Sequence, residues 1–180
     1  MKTLNIMLLV TALVATGVWG QKLQERGDEF FVEIEKSFDV QPGGELYIKG
    51  IVGDVEISKG GDNKLELREE MRLRVFTRGE AESILERAKT SYEKRGNTVQ
   101  VERNGNFRGV SSHFTVTVPH NFTCDIQTTG GDVSIAEVDG DHKFKTSGGD
   151  IDAKSLNGRL DVTTSGGDLT FIDVAGRVRG

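Results

Sequence analysis

The nine residues KTSGGDIDA, Lys145 to Ala153, recur eighteen residues later as TTSGGDLTF (Thr163–Phe171) and eighteen residues earlier as QTTGGDVSI (Gln127–Ile135). A turn written three times at one interval either builds a chemical site from its Asp or forms a corner that stacks on its own copies. Placing Asp125–Gly140, Lys143–Gly158 and Asp161–Gly176 in register decides between them. Ile126, Phe144 and Val162 align, as do Val133, Ile151 and Leu169, then Ile135, Ala153 and Phe171, then Val138, Leu156 and Val174. Apolar columns alternate with polar ones, the period of a strand with one buried face. Each repeat therefore reads as two short strands and two turns.

The turns fall at Gly130–Gly131, Gly148–Gly149 and Gly166–Gly167, each followed by an acid (Asp132, Asp150, Asp168), and again at Gly140, Gly158 and Gly176. Glycine is expected there for its access to positive φ, and the Asp for a hydrogen bond to its own turn. Asp125, Lys143, Asp161 and Arg179 form an outward column of alternating sign, which parallel stacking would place about 4.8 Å apart. The earlier stretch GELYIKGIVGDVEI (Gly44–Ile57) overlays GRLDVTTSGGDLTF (Gly158–Phe171), setting Gly53 on Gly167 and Asp54 on Asp168. The expected fold is mainly all-β, a β-solenoid with an 18-residue repeat and one covering α-helix.

The divisions follow. Residues 1–20 read as a signal peptide and 21–180 as a single domain. Within it, 21–60 hold the first strands and turn, 61–111 an insert, and 112–180 the tandem repeats. In the insert, Leu65, Leu67, Met71, Leu73 and Val75 alternate as strand. A helix is expected at about 78–95, with a Thr77/Glu80 capping box, Ala81, Ile84, Leu85, Ala88 and Tyr92 on one face, and Gly96 as its stop. Strands resume at Val99–Val101 and Phe114–Val118.

Composition agrees with this reading. The 180 residues include 23 Gly but only 2 Pro, which suits many tight turns between extended segments. Lys2, the apolar run Ile6–Val14 and the small residues Val18 and Gly20 before Gln21 make the secretory leader; a membrane anchor is the competing reading, set against by the shortness of the run. Cleavage would leave 22 basic and 28 acidic residues, net −6. That balance argues against nucleic acid as a partner. Cys124 is the single cysteine, so no internal disulfide is available.

The run FTVTVPHNFTCDIQTTGGDVSIAEVDGDHKFKTSGGDIDAKSLNGRLDVTTSGGDLTFIDVAGRV (Phe114–Val178) resembles the bacterial "putative adhesin" family of β-strand repeat domains, long catalogued as a domain of unknown function. The shared features are a strand ending in TVP, then tandem Gly-Gly-Asp turns, each followed by a strand and a lone Gly. The resemblance implies an envelope-associated or secreted β-solenoid and brings no catalytic residues.

The same columns bear on sharper chemistry. The carboxylates of Asp132, Asp150 and Asp168, with Asp54 further away, would need a nine-residue period to act as a calcium-binding coil, so turn capping is expected and no metal site. Hexapeptide acyltransferases need an aliphatic residue every sixth position, and stepping from Val138 through Phe144 reaches Asp150, which breaks the rule. His142 shares a column with Cys124, Leu160 and Val178 and reads as inward; two neighbouring ligands do not complete a zinc site. Thr128, Thr146 and Thr164 fall in the inward set, against an ice-binding array. No acid pair is brought to one face for sugar cleavage.

The sequence therefore points to a non-enzymatic, exported module of structural or adhesion-like kind, without catalytic residues or cofactor. The partner expected is polysaccharide or an envelope protein. An envelope-stress or regulatory accessory protein binding a membrane partner is the alternative, and a carbohydrate-active β-helix enzyme ranks third. The last residues, Gly176–Gly180, align with Gly158–Val162, so the chain is expected to be cut within a repeat, or else to self-associate through an open C-terminal edge.

Overall fold

The computed structural model describes residues 23–105 and 107–180; the expected signal peptide at 1–20 lies outside them. The chain is mainly β. In order it forms β1 (Gln24–Arg26), β2 (Glu29–Asp39), β3 (Gly44–Val52), β4 (Val55–Lys59), β5 (Lys64–Leu73), α1 (Arg78–Arg87), β6 (Thr90–Arg95) and β7 (Thr98–Arg103). It continues with β8 (Val110–Val118), β9 (Phe122–Thr129), β10 (Val133–Ala136), β11 (Gly140–Lys145), β12 (Ile151–Thr163) and β13 (Leu169–Arg179).

These strands make one mixed sheet that folds back on itself. One run is β1-β2-β5-β8-β4-β10-β12, antiparallel as far as β8 and parallel beyond it. The other is β6-β7-β3-β9-β11-β12, parallel after the β6–β7 hairpin. Both runs meet in β12. Its Ile151–Lys154 half pairs with β10, its Gly158–Thr163 half pairs with β11, and β13 follows it in the same register. Val133, Ile151 and Leu169 are register partners, and so are Ile126, Phe144 and Val162. The eighteen-residue interval is thus the interval of parallel neighbours.

The alternation in each strand sends one set of side chains between the two runs. Leu46, Ile48, Val101, Phe122, Ile126 and Phe144 of one run meet Val55, Ile57, Phe114, Val133, Ile135 and Ile151 of the other in one buried cluster. Burying an aliphatic or Phe side chain of this size stabilises by roughly 1.5–3 kcal/mol, so this cluster dominates the energetics.

Chain order is not layer order. β3 and β4 lie between the later β7–β8 pair and the β9–β10 pair. Asp54 is therefore the immediate neighbour of Asp132, not a distant member of its column. The corner that lets β12 and β13 turn from one run to the other also recurs at eighteen: Glu137, Ser155 and Asp173 all hold positive φ, at 60°, 54° and 53°. Non-glycine residues pay on the order of 1 kcal/mol for that conformation, offset here by the packing on either side.

The helix differs from expectation. Its N-terminus has the Thr77/Glu80 capping box, but it ends at Arg87 with Ala88 as its cap, and Thr90–Arg95 is strand. Gly96, with φ +61°, is not the helix stop; with Asn97 it forms the two-residue turn of the β6–β7 hairpin, whose last pair is Arg95 with Thr98. The β-branched and aromatic residues of TSYEKR favour that pairing over continuation of the helix to Arg95. Nor does α1 cover the flank of the stack along a full apolar stripe. Ala81 is its buried residue, and Ile84 and Leu85 pack partly against a second, smaller cluster built from Phe30, Val32, Met71, Leu73 and Val110.

Candidate binding face and the ladders beneath it

The Gly-Gly-Asp turns are joined by three ladders. In the first, each Asp carboxylate serves the next layer, not its own turn. Asp54 Oδ1 accepts from the Asp132 amide at 3.0 Å, Asp132 Oδ1 from the Asp150 amide at 2.8 Å, and Asp150 Oδ1 from the Asp168 amide at 2.7 Å. In the second, the inward threonines donate across layers: Thr128 Oγ1 to the Gly53 carbonyl at 2.5 Å, Thr146 Oγ1 to Gly131 at 2.8 Å, and Thr164 Oγ1 to Gly149 at 2.9 Å.

The third ladder is contact. A Cβ built on Gly131, Gly149 or Gly167 would sit 2.0, 2.0 or 1.9 Å from the carbonyl oxygen of Gly53, Gly131 or Gly149. Of the seven glycines assigned to these turns, Gly53 and Gly130 hold positive φ; the second glycine of each pair is required by close approach. Gly148 and Gly166 meet neither constraint, with no positive φ and no atom nearer than 4.0 Å.

With the carboxylates of Asp54, Asp132 and Asp150 each engaged by a backbone amide, the Asp column is a chain of interlayer caps. Among the described residues no group of three or more His, Cys, Asp or Glu could hold a metal ion. Melting curves in calcium and in chelator are expected to coincide; a rise of several degrees with calcium, as mass action gives for a tight ligand, would sink this account.

The ladders join the turns, and parallel pairing of β7, β3, β9, β11, β12 and β13 sets outward side chains in columns, with a register shift in β3 between Ile48 and Ile51. Gln100, Tyr47, Asp125, Lys143, Asp161 and Arg179 form one. Strand spacing sets successive members about 4.8 Å apart. Beside this column, Tyr47 donates its phenolic hydrogen bond to Glu45 at 3.1 Å, and that bond raises the phenol's pKa above its ordinary value. Lys49 Nζ lies 3.7 Å from Asp125 and 5.3 Å from the centre of the Tyr47 ring. The face offers carboxylates, amines, an amide and one aromatic ring at regular intervals, which is chemistry for recognising an extended polar chain.

The inward polar residues take no part in that face. His142 is buried, its ring stacked on Phe144 at 5.9 Å and its Nε2 3.0 Å from the Val138 carbonyl. Cys124 is its register partner; the thiol is fully buried, and burial pushes its pKa well up. Burial likewise lowers the His142 pKa below its usual 6.5. The folded state keeps the ring neutral while the unfolded chain takes up a proton below that value. This contribution to stability is fully present above pH 6.5 and is lost as pH falls toward the folded value. Replacing His142 by Leu, the residue at the same column position in Leu160, should flatten the stability profile from about pH 7 to about pH 5. An unchanged slope would assign the acid sensitivity elsewhere.

A buried ionic cluster went unnoticed in the sequence. Glu69 of β5 is fully buried and meets the Arg103 guanidinium of β7, the Ser112 hydroxyl of β8 at 2.6 Å and the Tyr92 phenol of β6. Arg103 Nη2 also donates to Ser112 at 2.7 Å and Thr90 at 2.9 Å. Burial, then the Glu69 charge, push the Tyr92 phenol far above its normal range. The cluster ties the two runs together near the end that carries α1.

No family model and no curated protein matches the chain. Several solved structures are similar. A putative cell adhesion protein from Clostridium sporogenes aligns over 81% of this chain and 97% of its own, at 9% identity and a TM-score of 0.39. A putative adhesin from Bacteroides fragilis covers 82% and 96%, at 9% identity and 0.29. A putative adhesin from Parabacteroides distasonis covers 81% and 66%, at 11% identity and 0.34. At such distances the function must be argued from this chain's own residues.

Proposed function

We propose that this chain is a β-solenoid acting outside the cytoplasm as a non-enzymatic binding module of adhesion-like kind, with an extended polysaccharide as the partner of its flat polar face. The solenoid reading is supported by parallel register at eighteen residues through β9, β11, β12 and β13, and by ladders that repeat with the turns. On this reading residues 21–180 form one domain and the N-terminal leader is removed on export. Among the described residues no helix is long and apolar enough to cross a membrane.

The observation that carries the binding role is the straight column from Gln100 to Arg179 with Tyr47 in it. Repeated ligands on a regular lattice bind weakly one by one and strongly together, provided the ligand's own period lets several engage at once. Glycan-array binding tests this. Wild type should retain a subset of polysaccharides, and Tyr47→Ala together with Lys143→Gln, which adds no like charge beside Asp125 and Asp161, should lose them while melting near the wild-type midpoint. If no glycan binds and the same face captures an envelope protein, the accessory-protein reading replaces the adhesive one. Release of sugar from a retained polysaccharide would overturn the non-enzymatic assignment.

A further inference from the structure

A second surface, at the β5–α1 junction, has different chemistry. Where β5 gives way to α1, Phe76 stands fully exposed at 100% of its accessible surface. Its position is held. The amides of Phe76 and Thr77 donate to Glu80 Oε2 at 3.2 and 3.3 Å, the Glu80 amide returns a bond to Thr77 Oγ1 at 3.2 Å, and the Arg74 amide donates to the Gly109 carbonyl at 2.8 Å. The aromatic ring is thus presented to solvent by a backbone fixed at both ends of the loop.

Beside it lies an open cleft of about 720 Å³ with Val75 and Ile84 as apolar lining and Arg74, Arg87 and Arg108 around it. The Arg87 guanidinium donates to the Ser83 carbonyl at 3.2 Å, and among the described residues neither Arg87 nor Arg108 has a carboxylate within ion-pair distance. Arg74 shares Glu29 with Arg72. Glu80, the one acid in the lining, is spent on the two backbone amides. In a chain of net charge −5, this local excess of unpaired guanidinium is an exception. A recess toward the β1–β2 turn shares Arg74, Val75 and Phe76 with this cleft and carries Glu25, Asp28 and Glu29, so the basic side of the ring is the one facing α1.

We propose that this edge docks the chain on a bilayer surface carrying anionic phospholipid, with Phe76 entering the headgroup region and Arg87 and Arg108 holding phosphates. Aromatic rings partition to the membrane interface, and guanidinium groups bind phosphate with paired donors. Neither signal is strong alone, so stable attachment needs both together. A folded protein partner fits less well, because a specific interface buries about 800 Å² on each side around an apolar centre, and here one ring is ringed by charge.

Sedimentation of the exported chain, from Gln21 onward on the reading above, with vesicles tests the proposal, using phosphatidylcholine alone and phosphatidylcholine with roughly one-third phosphatidylglycerol, the anionic surface to which basic residues respond. Wild type should bind the anionic vesicles preferentially. Arg87→Glu with Arg108→Glu should weaken that binding roughly thirtyfold or more, and Phe76→Ser about tenfold. All three positions are exposed, so normal melting should accompany the loss. The one tryptophan of the sequence, Trp19, falls in the leader, so Phe76→Trp makes position 76 the sole tryptophan site of the exported chain, and its emission should shift to the blue on anionic vesicles only. Equal binding by wild type and variants, charge-dependent binding without the spectral shift, or capture of a soluble protein in place of vesicles would each overturn the proposal.

Discussion

Replacing Gly149 by alanine should cost about 3–5 kcal/mol, among the largest effects available to a single methyl group in this chain. The new Cβ would lie 2.0 Å from the Gly131 carbonyl oxygen and 2.3 Å from its carbon, so one layer must move away from the next. That separation stretches the Asp132-to-Asp150 bond and the Thr146-to-Gly131 bond together. Gly166→Ala is the control. It lies at the equivalent first position of a pair, with no atom within 4 Å and no positive φ, so alanine should be neutral or stabilise by about 0.4–1 kcal/mol through the unfolded state. Thermal melting of the two variants decides the matter. Each kcal/mol shifts the midpoint by roughly 2–4 °C for a chain this long, so the pair should separate by about 10 °C. Similar midpoints would mean that close layer contact is not what these glycines serve.

That contrast also marks how far the repeat could be read from the sequence. The eighteen-residue columns expose which residues become neighbours, because a parallel register copies one apolar pattern onto the next. They do not expose why a given glycine is needed: positive φ and close approach both select Gly, and only the backbone separates Gly130 from Gly131. The direction of the Asp caps was hidden for the same reason, since a carboxylate can reach its own turn or the next. Chain order sets Asp54 far from Asp132, and the insertion of β3 and β4 between later strands leaves no local signal. Ala81, Ile84, Leu85, Ala88 and Tyr92 share a helical face and carry the expected helix past its end at Arg87, while the Gly96–Asn97 hairpin turn that competes with it has the composition of a helix stop.

The buried ionic cluster, by contrast, was legible and passed over. Leu65, Leu67, Met71 and Leu73 are inward at period two, and Glu69 occupies the same set; Arg103 continues Val99 and Val101, and Ser112 stands between Val110 and Phe114. Three strands each place one polar residue where the period demands an apolar one, and pairing brings the three together. The energetic consequence is asymmetric. Removing one charge leaves the other buried without its counter-ion, so Arg103→Met should cost about 3–5 kcal/mol, and Glu69→Met a similar amount. The double variant Glu69→Met/Arg103→Met removes both desolvation penalties and supplies apolar volume between Met71 and Val101, so it should recover most of the loss. A double-mutant cycle measured by denaturant unfolding reads this directly, with an expected coupling of at least about 2 kcal/mol. The remaining hydroxyls, Ser112, Thr90 and Tyr92, limit how complete the recovery can be, because each loses its partner in the double variant. Additive losses in the cycle would show that Glu69 and Arg103 act on stability independently and are not coupled across the two runs.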